Sequence, residues 1–144
     1  MIREIGATTT NNYAYGPDLS GTLQGAGTIG GLLLRESGGS VAFYCYDANG
    51  NVTGLVDANG TIVASYTYDP FGNTIAKQGG LSDANPFRFS SKYVDAETGL
   101  YYYGSRYYNP PLGRCLSRDP IAEKGSPNLF AHGRNSPVSR SCTT

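Results

Sequence analysis

Through the middle of this chain, apolar and polar positions alternate in short runs, each closed by an Asp-x-x-Gly tetrad. Val52, Gly54 and Val56 alternate with Thr53 and Leu55. Ile62, Ala64, Tyr66 and Tyr68 alternate with Val63, Ser65 and Thr67. A period of two between evenly spaced turns predicts an antiparallel meander. The tetrads open at Asp47, Asp57 and Asp69 and close at Gly50, Gly60 and Gly72. An aspartate carboxylate accepts backbone N–H bonds from two residues on, and a glycine at the fourth position accepts positive φ. A type I turn followed by a left-handed glycine joins two strands with a small bulge. Each tetrad therefore predicts a hairpin.

The tetrads belong to a longer repeat. Tyr44-Cys45-Tyr46-Asp47 to Asn51 and Tyr66-Thr67-Tyr68-Asp69 to Asn73 both read Y-x-Y-D-x-x-G-N, and 57–60 is a half-copy between them. Similarity at such a period is the mark of a repeat architecture. Tyr44 with Tyr46, and Tyr66 with Tyr68, are expected to form a cross-strand aromatic ladder with polar rims. Tyr13-Ala14-Tyr15 resembles the end of an earlier unit. The glycine-rich stretch 21–39 is either close backbone packing or a loosely ordered connector, and 77–85 reads as a loop. Residues 86–120 form a second hairpin series. Its first turn, from Asp95 to Gly99, is one residue longer than the tetrads. Five tyrosines lie between 101 and 108, and Arg106 and Arg114 are candidates to stack on rings.

Composition narrows the picture. Twelve tyrosines and five phenylalanines stand in for sparse aliphatic residues, so the expected core is aromatic. Twenty glycines and eight prolines among 144 residues leave little room for helix beyond one turn near 128–132. Eleven basic residues balance eleven acidic ones, which removes the electrostatic footprint expected of a nucleic-acid binder. The charge is uneven, however: residues 1–85 carry 3 basic and 7 acidic groups, and residues 86–144 carry 8 and 4. Two complementary surfaces of one sheet system account for this more simply than a basic binding face. No apolar run is long enough for a membrane-spanning helix, and the N-terminus lacks the apolar region of a signal peptide. Cys45, Cys115 and Cys142 lack metal-binding spacing, and His132 is the single histidine, so neither a metal nor another cofactor is expected.

These residues carry a resemblance. The Y-x-Y-D-x-x-G-N units resemble YD repeats. Asn85-Pro86-Phe87-Arg88-Phe89, Tyr93-Val94-Asp95, Thr98-Gly99-Leu100-Tyr101-Tyr102, Arg106-Tyr107-Tyr108, Gly113-Arg114 and Ser117-Arg118-Asp119-Pro120 resemble the RHS repeat-associated core domain. The resemblance implies an all-β chain, a segment of an RHS-type β-cocoon. It divides the sequence into a glycine-rich segment with a partial repeat (1–39), YD repeats (40–79), the core block (80–137) and a divergent tail (138–144). It implies a structural role in a large bacterial protein, secreted or on the cell surface, whose shell encloses or presents a C-terminal toxin. The expected partners are the rest of that shell or its toxin portion, and self-association through open sheet edges is a further expectation. Carbohydrate binding by the tyrosine faces is an alternative.

A second alternative is enzymatic. Some family members cut their own chain with two aspartates, and Arg118 and Asp119 match the first motif. Ala122 stands where that motif has glycine, and no aspartate follows Glu123. A carboxylate pair works by sharing one proton, which a lone Asp119 cannot do. No self-cleavage is expected.

Overall fold

The computed structural model describes residues 2–5 and 10–118. Its first sheet contains β1 (Ile2–Ile5), β2 (Thr10–Tyr15), β3 (Leu32–Ser37), β4 (Ser40–Tyr46), β5 (Val52–Asp57), β6 (Ile62–Tyr68) and β7 (Thr74–Gln78). These seven strands lie side by side in chain order, each antiparallel to the next. A smaller sheet, in the order β11-β10-β9-β8, contains β8 (Tyr93–Val94), β9 (Tyr101–Tyr102), β10 (Tyr107–Asn109) and β11 (Arg114–Cys115). Two one-turn 3-10 segments, Phe89–Ser91 and Pro110–Leu112, are the helical elements among the described residues. The all-β meander is as the alternation predicts. The expected helical turn at 128–132, Asp119 and the tail 138–144 lie outside the described residues.

The meander begins earlier than the repeat spelling suggests. β2 and β3 belong to the same sheet as the two full repeats. The stretch between β2 and β3 is packed backbone, not a loose connector. The Gly16 amide donates to the Gly31 carbonyl at 2.8 Å, and that of Leu19 donates to Ile29 at 3.0 Å. Buried Asp18 organises the segment, accepting from the amides of Ser20, Ala26 and Thr28 and from the Ser20 hydroxyl. Burial works against its ionised form, yet these bonds outweigh it and hold its pKa below the usual value. At the other end, Lys77 and Gln78 extend β7 instead of opening a loop.

Strict alternation fails at one repeated place. Cys45 pairs with Gly54 but Tyr46 with Val52, so Thr53 is an extra residue. The same shift makes Leu33, Val63 and Ile75 extra in their strands. A bulge puts the residues on its two sides out of phase. Val52 and Leu55, expected on opposite faces, therefore share the core. Ile62, expected to share a face with Ala64 and Tyr66, is 67% exposed while those two are buried.

Two aromatic cores result. Tyr13, Leu32, Ala42, Tyr44, Val52, Leu55, Ala64 and Tyr66 fill the first, on one face of the large sheet. Phe89, Val94, Tyr101, Tyr103, Tyr108 and Cys115 fill the second, and Tyr68 packs against it as well as against the first. The tyrosine ladder is not cross-strand, because β5 lies between β4 and β6. Instead Tyr44 stacks along its own strand on Tyr46 at 6.4 Å, and Tyr66 on Tyr68 at 6.3 Å. Nor do the rings line a wet face. Tyr44 and Tyr66 are buried, and burial raises the pKa of both phenols.

Candidate functional site

All four expected turns form. In the tetrads, the Gly50, Gly60 and Gly72 amides each donate to the carbonyl of the opening aspartate at 3.0–3.1 Å. Their φ angles are +75°, +84° and +89°. Asp47 Oδ1 accepts from the amides of Asn49 and Asn51, Asp57 Oδ1 from Asn59 and Thr61, and Asp69 Oδ1 from Phe71 and Asn73. The longer turn closes through the Gly99 amide on the Asp95 carbonyl at 2.8 Å, with Gly99 at φ +70°. At Asp57, Asp69 and Asp95 these bonds favour the ionised carboxylate. The Thr61 amide is the largest influence lowering the Asp57 pKa, the Asn73 side chain that of Asp69, and the Thr98 hydroxyl that of Asp95.

Two of the tetrads gather at one end of the large sheet, and this end is covered. The Asn51 side chain donates to Asp47 Oδ2 at 2.8 Å and accepts the Ser90 amide at 2.8 Å. Ser91 Oγ donates to the Gly50 carbonyl at 2.7 Å and accepts the Gly30 amide at 2.8 Å. This one hydroxyl joins the segment after β2, the first full repeat and the second block. Ser90 and Ser91 hold φ of +51° and +54°, unusual for residues with a Cβ, and both are buried. Lys92 Nζ donates to the Gly27 carbonyl and lies 5.4 Å from the Tyr103 ring centre.

Tyrosine hydroxyls run the same join from unit to unit. Tyr46 donates to the Leu32 carbonyl, and Tyr68 to that of Val52 at 2.7 Å. At the last repeat turn the donors come from the second block: Tyr101 to the Gly72 carbonyl at 3.3 Å and Tyr108 to Phe71 at 2.8 Å. Phe89 packs against both Tyr68 and Tyr101, at 5.9 and 6.0 Å. At the opposite side of the first core, Asn85 is wholly buried. It accepts the Tyr44 hydroxyl at 2.7 Å and donates to the Phe87 carbonyl at 2.7 Å and to the Tyr66 hydroxyl at 3.3 Å. Arg88 lies over the Tyr66 ring at 5.3 Å. Arg88 and Lys92 thus supply two cation–ring contacts to the cores.

Sequence reasoning located the aspartates and glycines but missed Asp18, Asn51, Asn85 and Ser91, which connect the turns to the rest. Asn51 had a visible signal in the repeat's final asparagine, which recurs as Asn73. Of the two candidate catalytic residues, Arg118 is exposed at the end of the described residues, and Asp119 falls beyond them. Among the described residues no group of three or more His, Cys, Asp or Glu could hold a metal ion.

The outer face of the small sheet differs in character. Tyr93, Tyr102 and Tyr107 stand directly opposite one another on β8, β9 and β10. They are 40%, 44% and 47% exposed, while Tyr101 and Tyr108 on the inner face are buried.

Comparisons with known proteins agree with this geometry. A family model described as RHS Repeat matches residues 46–79, which contain all three tetrads. The tRNA3(Ser)-specific nuclease WapA of Bacillus spizizenii is 35% identical over 136 residues, 90% of this chain and 5% of the relative. The toxin subunit YenC1 of Yersinia entomophaga is 40% identical over 99 residues, 66% of this chain and 10% of the relative. The crystal structure of TcdB2-TccC3-Cdc42 superposes with a TM-score of 0.74 at 26% identity, over 94% of this chain and 6% of the solved one. The chain thus spans 5% and 10% of the length of these two curated relatives.

Proposed function

Because this chain belongs to the RHS-repeat family, we propose that it is a structural segment of an RHS-type β-shell, comprising repeat wall and the block that closes it, in a protein that encloses or presents a toxin. The observation that carries this reading is the tyrosine series. Tyr46 and Tyr68 each bond a carbonyl of the preceding unit, and Tyr101 with Tyr108 then seals the last repeat turn. A repeat whose exposed end is closed by a different block is how a stacked array terminates. The partners in this reading are the remaining shell and the toxin portion, and the location is outside the producing cell. The toxin-subunit name of one relative supports both.

The test is limited proteolysis of the full-length protein. The reading expects an enclosed portion that resists protease in the wild type and becomes cleavable when Gly72→Val disrupts the capped turn. Unchanged protection in a variant whose cap has demonstrably opened would refute it.

In this reading the chain is not an enzyme. What supports this is Ala122, which stands three residues after Asp119 where the self-cleaving motif has glycine. Prolonged incubation should release no fragment from either wild type or Asp119→Asn; a fragment made only by the wild type would reverse this conclusion.

The exposed Tyr93-Tyr102-Tyr107 row favours a second reading, a carbohydrate-stacking surface. Titration with soluble oligosaccharides should then quench tyrosine fluorescence in the wild type and not in Tyr102→Ala. Equal response of the two proteins would remove this reading and leave the structural one standing.

A further inference from the structure

The chain spells Asp-Ala-Asn-Gly twice, at 47–50 and at 57–60. An asparagine followed by glycine is prone to ring closure, because no Cβ obstructs approach of the asparagine side chain to the next backbone nitrogen. With the same residue before each asparagine and glycine after it, the two sites have closely matched intrinsic reactivity. A difference between them in the folded protein therefore reports their surroundings.

Those surroundings differ sharply. Asn49 and Asn59 are both exposed, and both following amides donate to the opening aspartate's carbonyl at 3.1 Å. Attack requires that bond to break and the turn to open. At 57–60 little else resists: Gly60 is exposed, and a Cβ built on it would meet nothing within 4 Å. At 47–50 the turn is pinned. The Gly50 carbonyl holds Ser91 Oγ, and Asn51 holds both Asp47 and the Ser90 amide. A Cβ on Gly50 would lie against Ile29 and 2.9 Å from Leu19 Cδ1. Opening this turn means breaking those bonds and parting two segments of the chain.

We propose that Asn59 is a site of spontaneous modification, and that Asn49 is shielded from the same reaction by the cover over its turn. The Gly60 backbone nitrogen attacks Asn59 Cγ, and the bond from Cγ to the side-chain nitrogen breaks. That nitrogen leaves as ammonia, taking up the proton shed by Gly60. Water then opens the succinimide at either carbonyl, giving aspartate or isoaspartate. Either product places a second carboxylate two residues from Asp57, and isoaspartate also lengthens the backbone inside the β5–β6 turn.

Incubation of the intact chain at neutral to mildly alkaline pH, followed by fragmentation mass spectrometry resolving positions 49 and 59, tests this. Native protein should modify at 59 on the order of tenfold faster than at 49, since local opening sets the rate. In concentrated urea the two rates should converge. Ser91→Ala should raise the native rate at 49 and leave 59 unchanged, and Gly60→Ala should slow 59 alone. Equal native rates in a chain shown to be folded by circular dichroism would overturn the proposal, as would faster reaction at 49 or unequal rates in urea.

Discussion

The turn at 69–72 and the turn at 57–60 have the same hydrogen-bond skeleton and opposite fates. Both close through glycine on aspartate, and both glycines sit at positive φ. Yet a Cβ on Gly72 would lie 2.6 Å from the Phe89 ring, while one on Gly60 would meet nothing within 4 Å. The first turn carries a tyrosine donor on each of two carbonyls; the second stands at the uncovered end of the sheet. The lesson is that local chemistry makes the turn and tertiary cover decides how much depends on it. A motif recognised in sequence therefore does not by itself carry an energetic weight.

Substitutions break or sharpen that contrast. Gly72→Val should be the most damaging, combining left-handed strain in a β-branched residue with a clash against Phe89, together about 3 kcal/mol or more. Chemical denaturation should show this as a lowered midpoint. A loss as small as that of the matching change at Gly60 would mean the cap does not bear on the turn. Gly50→Ala should cost about 2–3 kcal/mol by the same measurement, because Leu19 and Ile29 must give way. Asn51→Ala should cost about 1–2 kcal/mol, since it strands the buried Ser90 amide. The equivalent Asn73→Ala should cost less, its side chain serving Asp69 within its own turn. Gly60→Ala should be mildest, about 1 kcal/mol of backbone strain alone.

The aspartates give a pH test. Asp57, Asp69 and Asp95 have pKa values below their ordinary ones in the folded chain. A depressed carboxyl contributes stability that is complete above its unfolded pKa and disappears as pH falls through the folded value. Melting temperature should therefore drop on acidification below the ordinary carboxylate range. Asp57→Asn should flatten that dependence slightly, without moving the neutral-pH melting point as far as Gly72→Val does. An acid limb unchanged by Asp57→Asn would mean that the turn carboxylate is not coupled to folding.

Much of this fold is legible in sequence because the turn signals are local. Asp47, Asp57, Asp69 and Asp95 bond amides within four residues of themselves, so spacing alone reveals them. The segment 16–31 is illegible for the opposite reason. Its order depends partly on Ser91 and Lys92, more than sixty residues away. The left-handed conformations at Ser90 and Ser91 have no glycine to announce them. Asn85 stands out in the sequence only as the start of the block that carries the resemblance, and its role as partner of Tyr44 and Tyr66 is not legible there. The site was visible as a row of turns, and invisible as the set of bonds that makes two of them an end of the molecule.

The extra residues at Leu33, Thr53, Val63 and Ile75 have a geometric consequence. A bulge bends its strand and sharpens the twist. Three of the four, Leu33, Thr53 and Ile75, follow the chain's re-entry at the covered end, in every second strand. The bends therefore line up as a crease running across the sheet, perpendicular to its strands. A wall creased once per repeat has a curvature set by counting residues, and a longer run of such units would keep turning the same way. Shape at the scale of the whole assembly is then written as one surplus amino acid per unit.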